Sequence, residues 1–234
     1  MISYPASADG DTLERAQFLF PACDPGNLLR LSDGAVFART LPDSVLVARP
    51  DLVRSGVVLW SGTYTQLDSP EVPNALFEPS PHNWGPRGWA ALDESVKAWA
   101  DAGLGASLLI RTHAAHIISD APSAIRFARQ WNAAGVRVAY DPVSMVTPAM
   151  SGSSGLADLY ARLVDSLEHP DLRAAVAFVM VCNFELEGTG VRPCSLDAGL
   201  LDPALLGSVI DRCADLGLPV AMLKSDSPTY TAPE

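Results

Sequence analysis

The side chains that could do chemistry in this sequence mostly stand at the ends of short apolar runs. Arg111, Thr112 and His113 follow the run 106–110, and Asp141 follows 136–140. The stretch 182–187, with Cys182, Glu185 and Glu187, closes the run 174–182, and Lys224 follows 218–223. Together with His116 these residues offer cations, carboxylates and imidazoles, the types used for proton transfer and for steadying developing charge. Each has a plainer reading beside the chemical one. Arg111 and Asp141 make either a site or a structural ion pair. His113 and His116 have the spacing of a two-ligand metal pair, but off a helix ordinary polar loop histidines are favoured. Cys182 at the end of a buried strand reads as an inert small hydrophobe. A Schiff-base role for Lys224 would require desolvation.

Positioning such residues takes regular elements, and from residue 88 onward the sequence supplies them in alternation. Trp89, Leu92, Val96 and Trp99 share one helical face over 88–102, with Gly103 as a stop. Asp120 and Pro122 open a second helix through Ile125, Ala128 and Trp131 to Gly135. Ser153 and Ser154 are candidate caps for a third, carrying Leu156, Leu159, Tyr160, Leu163 and Leu167. Asp202-Pro203 starts a fourth, with Leu206, Val209, Ile210 and Cys213 inward and Gly217 as its stop. Strands at 106–110, 136–140, 174–182 and 218–223 fall between them, which implies a parallel sheet built by crossovers. The expected fold class is α/β, a (β/α)8 TIM-type barrel whose active site lies at the carboxyl ends of its strands.

The first half fits that scheme less regularly. Segments 17–20, 35–38, 45–48 and 56–60 each have strand character, but the spacings are too short for crossover helices. Residues 63–87, rich in Pro, Ser and Asn, read as one long loop. The N-terminal half is therefore expected to be short of helices. The long loop or a second copy of the chain, forming a homo-oligomer, would then cover the exposed strand faces. Residues 1–234 read as a single barrel domain, with 225–234 a poorly ordered tail.

Composition narrows the function classes. A hydrophobic fraction of 48% with 18% charged residues is that of a packed globular chain. A net charge of −11 opposes nucleic-acid binding, which needs a basic footprint. Only Lys97 and Lys224 are lysines, a bias of coding composition more than of function. No apolar run approaches the roughly 20 residues needed to span a bilayer. The first residues show no basic and apolar leader, so a cytoplasmic location is expected. Cys23, Cys182, Cys194 and Cys213 lack CxxC spacing and read as reduced thiols.

The stretch Ile110-Arg111-Thr112-His113-Ala114-Ala115-His116-Ile117-Ile118, the helix after it and Val138-Ala139-Tyr140-Asp141-Pro142 resemble the xylose isomerase-like barrel superfamily. That group includes sugar phosphate isomerases and epimerases and endonuclease IV-type nucleases. Residues 192–202 resemble its Pro-Leu-Gly-x-Gly turn and the helix start that follows. The similarity covers roughly residues 88–224. It implies a divalent metal held by strand-end carboxylates and histidine, but Arg111 stands at the first carboxylate position and cannot ligate. Asp141 retains its carboxylate, whereas Ser144 replaces the histidine. Cys182 and Glu185 fall at the next His-x-x-Asp pair, and Leu223 or Lys224 at the last glutamate. The expectation is therefore no metal and no other cofactor, with fixed cations in the metal's place. The resemblance further implies isomerisation or epimerisation of a small polyhydroxylated, sugar-like compound. Asp141 or Glu185 would be the base, and Arg111 or Lys224 would face the developing oxyanion. His113, His116, Trp84 and His82 are the candidate substrate contacts; Trp84, His82 and Asn83 in the long loop either stack on a sugar ring or equally pack the side of the barrel that lacks helices. The alternative is a non-catalytic barrel that binds a ligand or a protein partner, because a fold does not carry its function with it.

Overall fold

A computed structural model describes residues 2–4, 16–20, 30–31, 57–66, 79–101, 103, 105, 108–151, 155–187 and 190–222. At its centre five strands run parallel: β4 (Val57–Trp60), β6 (Leu108–Arg111), β7 (Arg137–Tyr140), β8 (Val176–Val181) and β11 (Val220–Met222). They neighbour one another in chain order, and β3 (Arg30–Leu31) adds an antiparallel edge beside β11. Three consecutive buried residues in β6 (Leu108, Leu109, Ile110) and in β7 (Val138, Ala139, Tyr140) place core on both faces of the sheet.

The helices between the strands begin and end where local chemistry directs. Helix α1 (Pro86–Asp101) buries Trp89, Leu92, Val96 and Trp99, each contributing about 1.5–3 kcal/mol of apolar transfer. Helix α2 (Ala121–Trp131) starts in a capping box. The Asp120 carboxylate accepts the Ser123 N–H at 2.8 Å, and the Ser123 hydroxyl accepts the Asp120 N–H at 3.0 Å. A short 3-10 turn then leads to Gly135 at φ 81°, a left-handed conformation that side chains with a Cβ avoid. After the short helix α3 (Pro148–Ser151), helices α4 (Leu156–Asp165) and α5 (Pro170–Ala175) together fill the crossover from β7 to β8. Helix α6 (Pro203–Asp215) is capped by Asp202, whose carboxylate accepts the Ala204 N–H at 2.8 Å. The Trp131 indole N–H donates to Asp93 at 3.0 Å, tying α2 to α1. The Tyr140 hydroxyl donates to the Leu163 carbonyl at 2.8 Å, tying β7 to α4.

Three expectations are corrected. Segment 17–20 is not a barrel strand. It belongs to β2 (Ala16–Phe20), which pairs antiparallel with β1 (Ile2–Tyr4) and β5 (Thr63–Gln66) in a separate sheet. Two residues, Ser61 and Gly62, separate β4 from β5, too few for the crossover that a parallel neighbour would require. Residues 63–87 are not wholly a loop either, since they include β5, a 3-10 turn at Pro81–Trp84 and the start of α1. The run 174–182 begins as the last turn of α5 before it becomes β8. The strands proposed at 35–38 and 45–48, the caps Ser153 and Ser154, Cys23, Lys224 and the tail 225–234 all lie outside the described residues.

One buried group runs against the packing rule. The Tyr160 hydroxyl, fully enclosed, makes no hydrogen bond to any described protein group, and burial pushes its ionisation well up. An unsatisfied buried polar group costs about 1–3 kcal/mol. Tyr160→Phe is therefore expected to leave stability unchanged or raise it by up to about 1 kcal/mol in a denaturant titration. A loss of more than that would mean the hydroxyl has a partner, such as an enclosed water.

Candidate functional site

Trp60, Arg111, Asp141 and Cys182 end, or directly follow, four adjacent parallel strands at their carboxyl ends. Trp60 and Arg111 are register partners, so their side chains leave the sheet on the same face. The Arg111 guanidinium lies 4.3 Å from the centre of the Trp60 ring, a cation–π contact. Across β7, Arg111 pairs with Ala139, and Asp141 stands two residues further along, on the same side.

The ion pair is close and enclosed. Arg111 donates from Nε at 2.8 Å and from Nη2 at 2.5 Å, both to Asp141 Oδ2. Side-chain exposure is 11% for the arginine and 0% for the aspartate. The Ser144 hydroxyl donates to the same Oδ2 at 2.6 Å, and the Ser144 N–H donates to Oδ1 at 3.1 Å. Thr112 secures the backbone beneath, its hydroxyl accepting the Asp141 N–H at 2.9 Å. Four donors on one carboxylate make Asp141 a fixed acceptor that orients the guanidinium. A general base needs an uncommitted oxygen facing its substrate.

The connection from β6 to α2 is laced into its neighbours. Ala114 N–H donates to the Ser144 carbonyl at 2.8 Å and Ile118 N–H to the Ser61 hydroxyl at 2.9 Å. Asn83, fully buried, donates to Thr63 Oγ1 at 2.8 Å and to the Ala115 carbonyl at 2.7 Å. The connection carries both histidines: their rings lie 5.2 Å apart, and the Trp60 ring sits 5.0 Å from His113 and 5.6 Å from His116. His116 is fully buried. Burial and then the Arg111 charge lower the His113 pKa from 6.5 to about 3, so its imidazole stays neutral. Because the unfolded chain binds that proton near pH 6.5, this residue makes folding less favourable as pH falls from about 6.5 to about 3.

The remaining sequence candidates are placed differently from one another. Glu185 does not stand at the end of a sheet strand. Strand β8 stops at Val181, and Glu185 sits inside β9 (Asn183–Glu187), paired antiparallel with β10 (Gly190–Cys194). Arg192 faces it across that hairpin and donates to Glu185 Oε2 at 2.5 Å. Cys182 is buried; desolvation and then the Asp141 charge push its thiol well up, against any nucleophilic role. His82 and Trp84 are exposed at the surface, Trp84 by 49%, held near the site by the anchored Asn83 between them. Trp60 was not among the sequence candidates, although its place at the end of an apolar run beside the 106–110 strand was the available signal.

A divalent metal in the manner of the resembled superfamily does not fit these residues. The one carboxylate retained at its position, Asp141, is engaged by Arg111 and Ser144. Among the described residues no three histidine, cysteine, aspartate or glutamate side chains gather as a metal-binding group.

A cleft of about 480 Å³ opens at the opposite end of the sheet, lined by Arg137, Glu168, Arg173, Val176 and Leu218. Its Arg137 is spent on the Ala175 and Val176 carbonyls at 2.9 and 2.7 Å, and Glu168 pairs with Arg212. The clustered chemistry is at the carboxyl end, where sheets of this kind place their sites. Comparisons of the chain with protein-family models, curated proteins and solved structures find no match. No helix among the described residues is long and apolar enough to cross a membrane.

Proposed function

We propose that this chain is a barrel of the xylose isomerase-like type that binds a small polyhydroxylated, sugar-like compound at the carboxyl end of its sheet. The observation that carries the reading is the Arg111 guanidinium, held on Asp141 and stacked on Trp60 at the ends of adjacent strands. A planar donor fixed against an indole is suited to the oxygens and ring face of such a ligand. The parallel strands neighbour one another in chain order, and crossovers of one hand between such strands would put the helices on one side and curl the sheet. That supports a (β/α)8-type closure of which the five parallel strands are an arc. Trp84 and His82 extend the same end with an exposed aromatic surface.

As an enzyme, the protein would interconvert aldose and ketose or epimers, with the guanidinium and a neutral imidazole facing the developing oxyanion. The engagement of Asp141 by four donors specifically favours a second reading, a non-catalytic binding protein that has kept the site and lost the base. A thermal-shift panel of neutral sugars, polyols and sugar phosphates tests both. We expect at least one sugar-like compound to raise the melting temperature, and Trp84→Ala to remove that shift while leaving the unliganded protein as stable. Incubating the hit in D2O then separates the two readings. Deuterium entering the carbon beside the carbonyl marks the isomerase; binding without exchange marks the binding protein. A panel with no hit at millimolar concentration overturns both.

A further inference from the structure

We infer that the cleft at the amino end of the sheet is a second binding site, for a small organic oxyanion: a carboxylate or phosphate ester carried on an apolar body. The cavity, about 480 Å³, has the volume of a small-molecule site. Its apolar lining comes from Val176 and Leu218, both buried, and from the half-buried Leu216 and Pro219. Its charged lining is Arg137, Glu168 and Arg173. That mixture, apolar walls with a few convergent polar groups, is the usual make-up of a ligand site.

Charge in the cleft runs against the rest of the chain. At net −11 the protein repels anions over its surface at large. The cleft's one lining carboxylate, Glu168, is held by Arg212 of α6. Two guanidiniums therefore remain that no carboxylate among the described residues balances. Arg137 is fixed in place, with its Nε and Nη2 on the Ala175 and Val176 carbonyls at 2.9 and 2.7 Å. Neutral carbonyls hold a guanidinium without cancelling its charge. These bonds also cover the carbonyls at the end of α5, whose negative partial charges would oppose an anion. Arg173, exposed on α5, makes no side-chain hydrogen bond or ion pair with any described residue. Asp171 of the same helix accepts instead from Arg129 at 2.8 Å. A fixed charge and an uncommitted planar fork, set among apolar walls, focus potential on an oxyanion and offer it paired hydrogen bonds. The site is independent of the sugar-binding reading at the other end of the sheet, and either can fail without the other.

Amide spectra of the 15N-labelled full chain, titrated with benzoate, hexanoate and phenyl phosphate, test the site. Benzamide, hexanamide and inorganic phosphate are the controls, the first two lacking the charge and the last the apolar body. We expect at least one organic anion to saturate at millimolar concentration, moving amides in 168–177 and 216–218 and sparing those in 111–118. Whichever of benzoate and phenyl phosphate binds more tightly identifies the oxyanion. Arg173→Ala should weaken that binding by about tenfold or more, the loss of charge-assisted hydrogen bonds, and leave the melting temperature of the unliganded protein unchanged. Ala174→Glu, which sets a carboxylate in the cleft, should weaken it as well. No saturable shift with any of the three anions overturns the inference. So does binding that Arg173→Ala leaves intact, or equal binding of the amides or of inorganic phosphate.

Discussion

Asp141→Ala should destabilise the protein by about 3–5 kcal/mol, the cost of stranding a buried partner of an ion pair. The arginine left behind is only 11% exposed and cannot shed its proton, so its charge would remain in the interior. The Ser144 hydroxyl and N–H, both aimed at the lost carboxylate, would lose their acceptor as well. The control is the double substitution Arg111→Met with Asp141→Leu, which removes both charges together. If the pair is chiefly a buried charge couple, the double variant should recover most of the loss, since apolar replacement of such pairs is often neutral or better. Urea titrations of the three proteins measure this directly. A single variant within about 1 kcal/mol of wild type would mean that Arg111 can swing to solvent, and the site geometry would have to be abandoned.

The pairing behind that prediction was legible in the sequence, for a simple reason. Arg111 and Asp141 each follow a run of apolar residues of strand length, and parallel strands present their carboxyl ends at one edge of the sheet. Helix limits were legible for a similarly local reason, because Asp120, Asp202, Gly135 and Gly217 act within one turn of the backbone they cap or stop. Trp60 was not, because its contact with Arg111 depends on the register of β4 against β6, which only tertiary pairing fixes. Glu185 was misplaced because 174–182 reads as a strand and 182–187 as the polar stretch at its carboxyl end. Gly188-Thr189-Gly190, between two segments able to pair, was the local hairpin signal. Nor does residue type reveal that His116 is fully enclosed, because burial depends on how the loops after β4, β6 and β7 close over one another. Of the N-terminal strands, β1, β2 and β5 pair among themselves while β3 and β4 join the central sheet, partners that the spacings did not show.

Asn183→Ala should be the most damaging change outside the ion pair, at about 3 kcal/mol or more. This one side chain holds the hairpin against the loop that leads into α6. Its Nδ2 donates to the Leu201 carbonyl at 2.8 Å, and its Oδ1 accepts the Leu201 and Phe184 N–H groups at 2.8 and 2.9 Å. Asn183 is 1% exposed, so its removal leaves buried backbone groups without partners, at about 1–3 kcal/mol each. Gly199 belongs to the same closure. It adopts φ +103°, and a Cβ there would stand 2.5 Å from the Phe184 carbonyl oxygen and 2.6 Å from Asn183 Oδ1. Gly199→Ala should therefore weaken the same unit through strain and crowding instead of lost bonds. Because the hairpin is a peripheral unit packed against the parallel sheet, its release should be partly local. Hydrogen exchange should accelerate first at the β9 and β10 amides in both variants, while amides of β6 and β7 keep most of their protection. Equal acceleration across the sheet would show instead that the hairpin and the strands carrying Arg111 and Asp141 open as one unit, making the whole carboxyl end depend on Asn183.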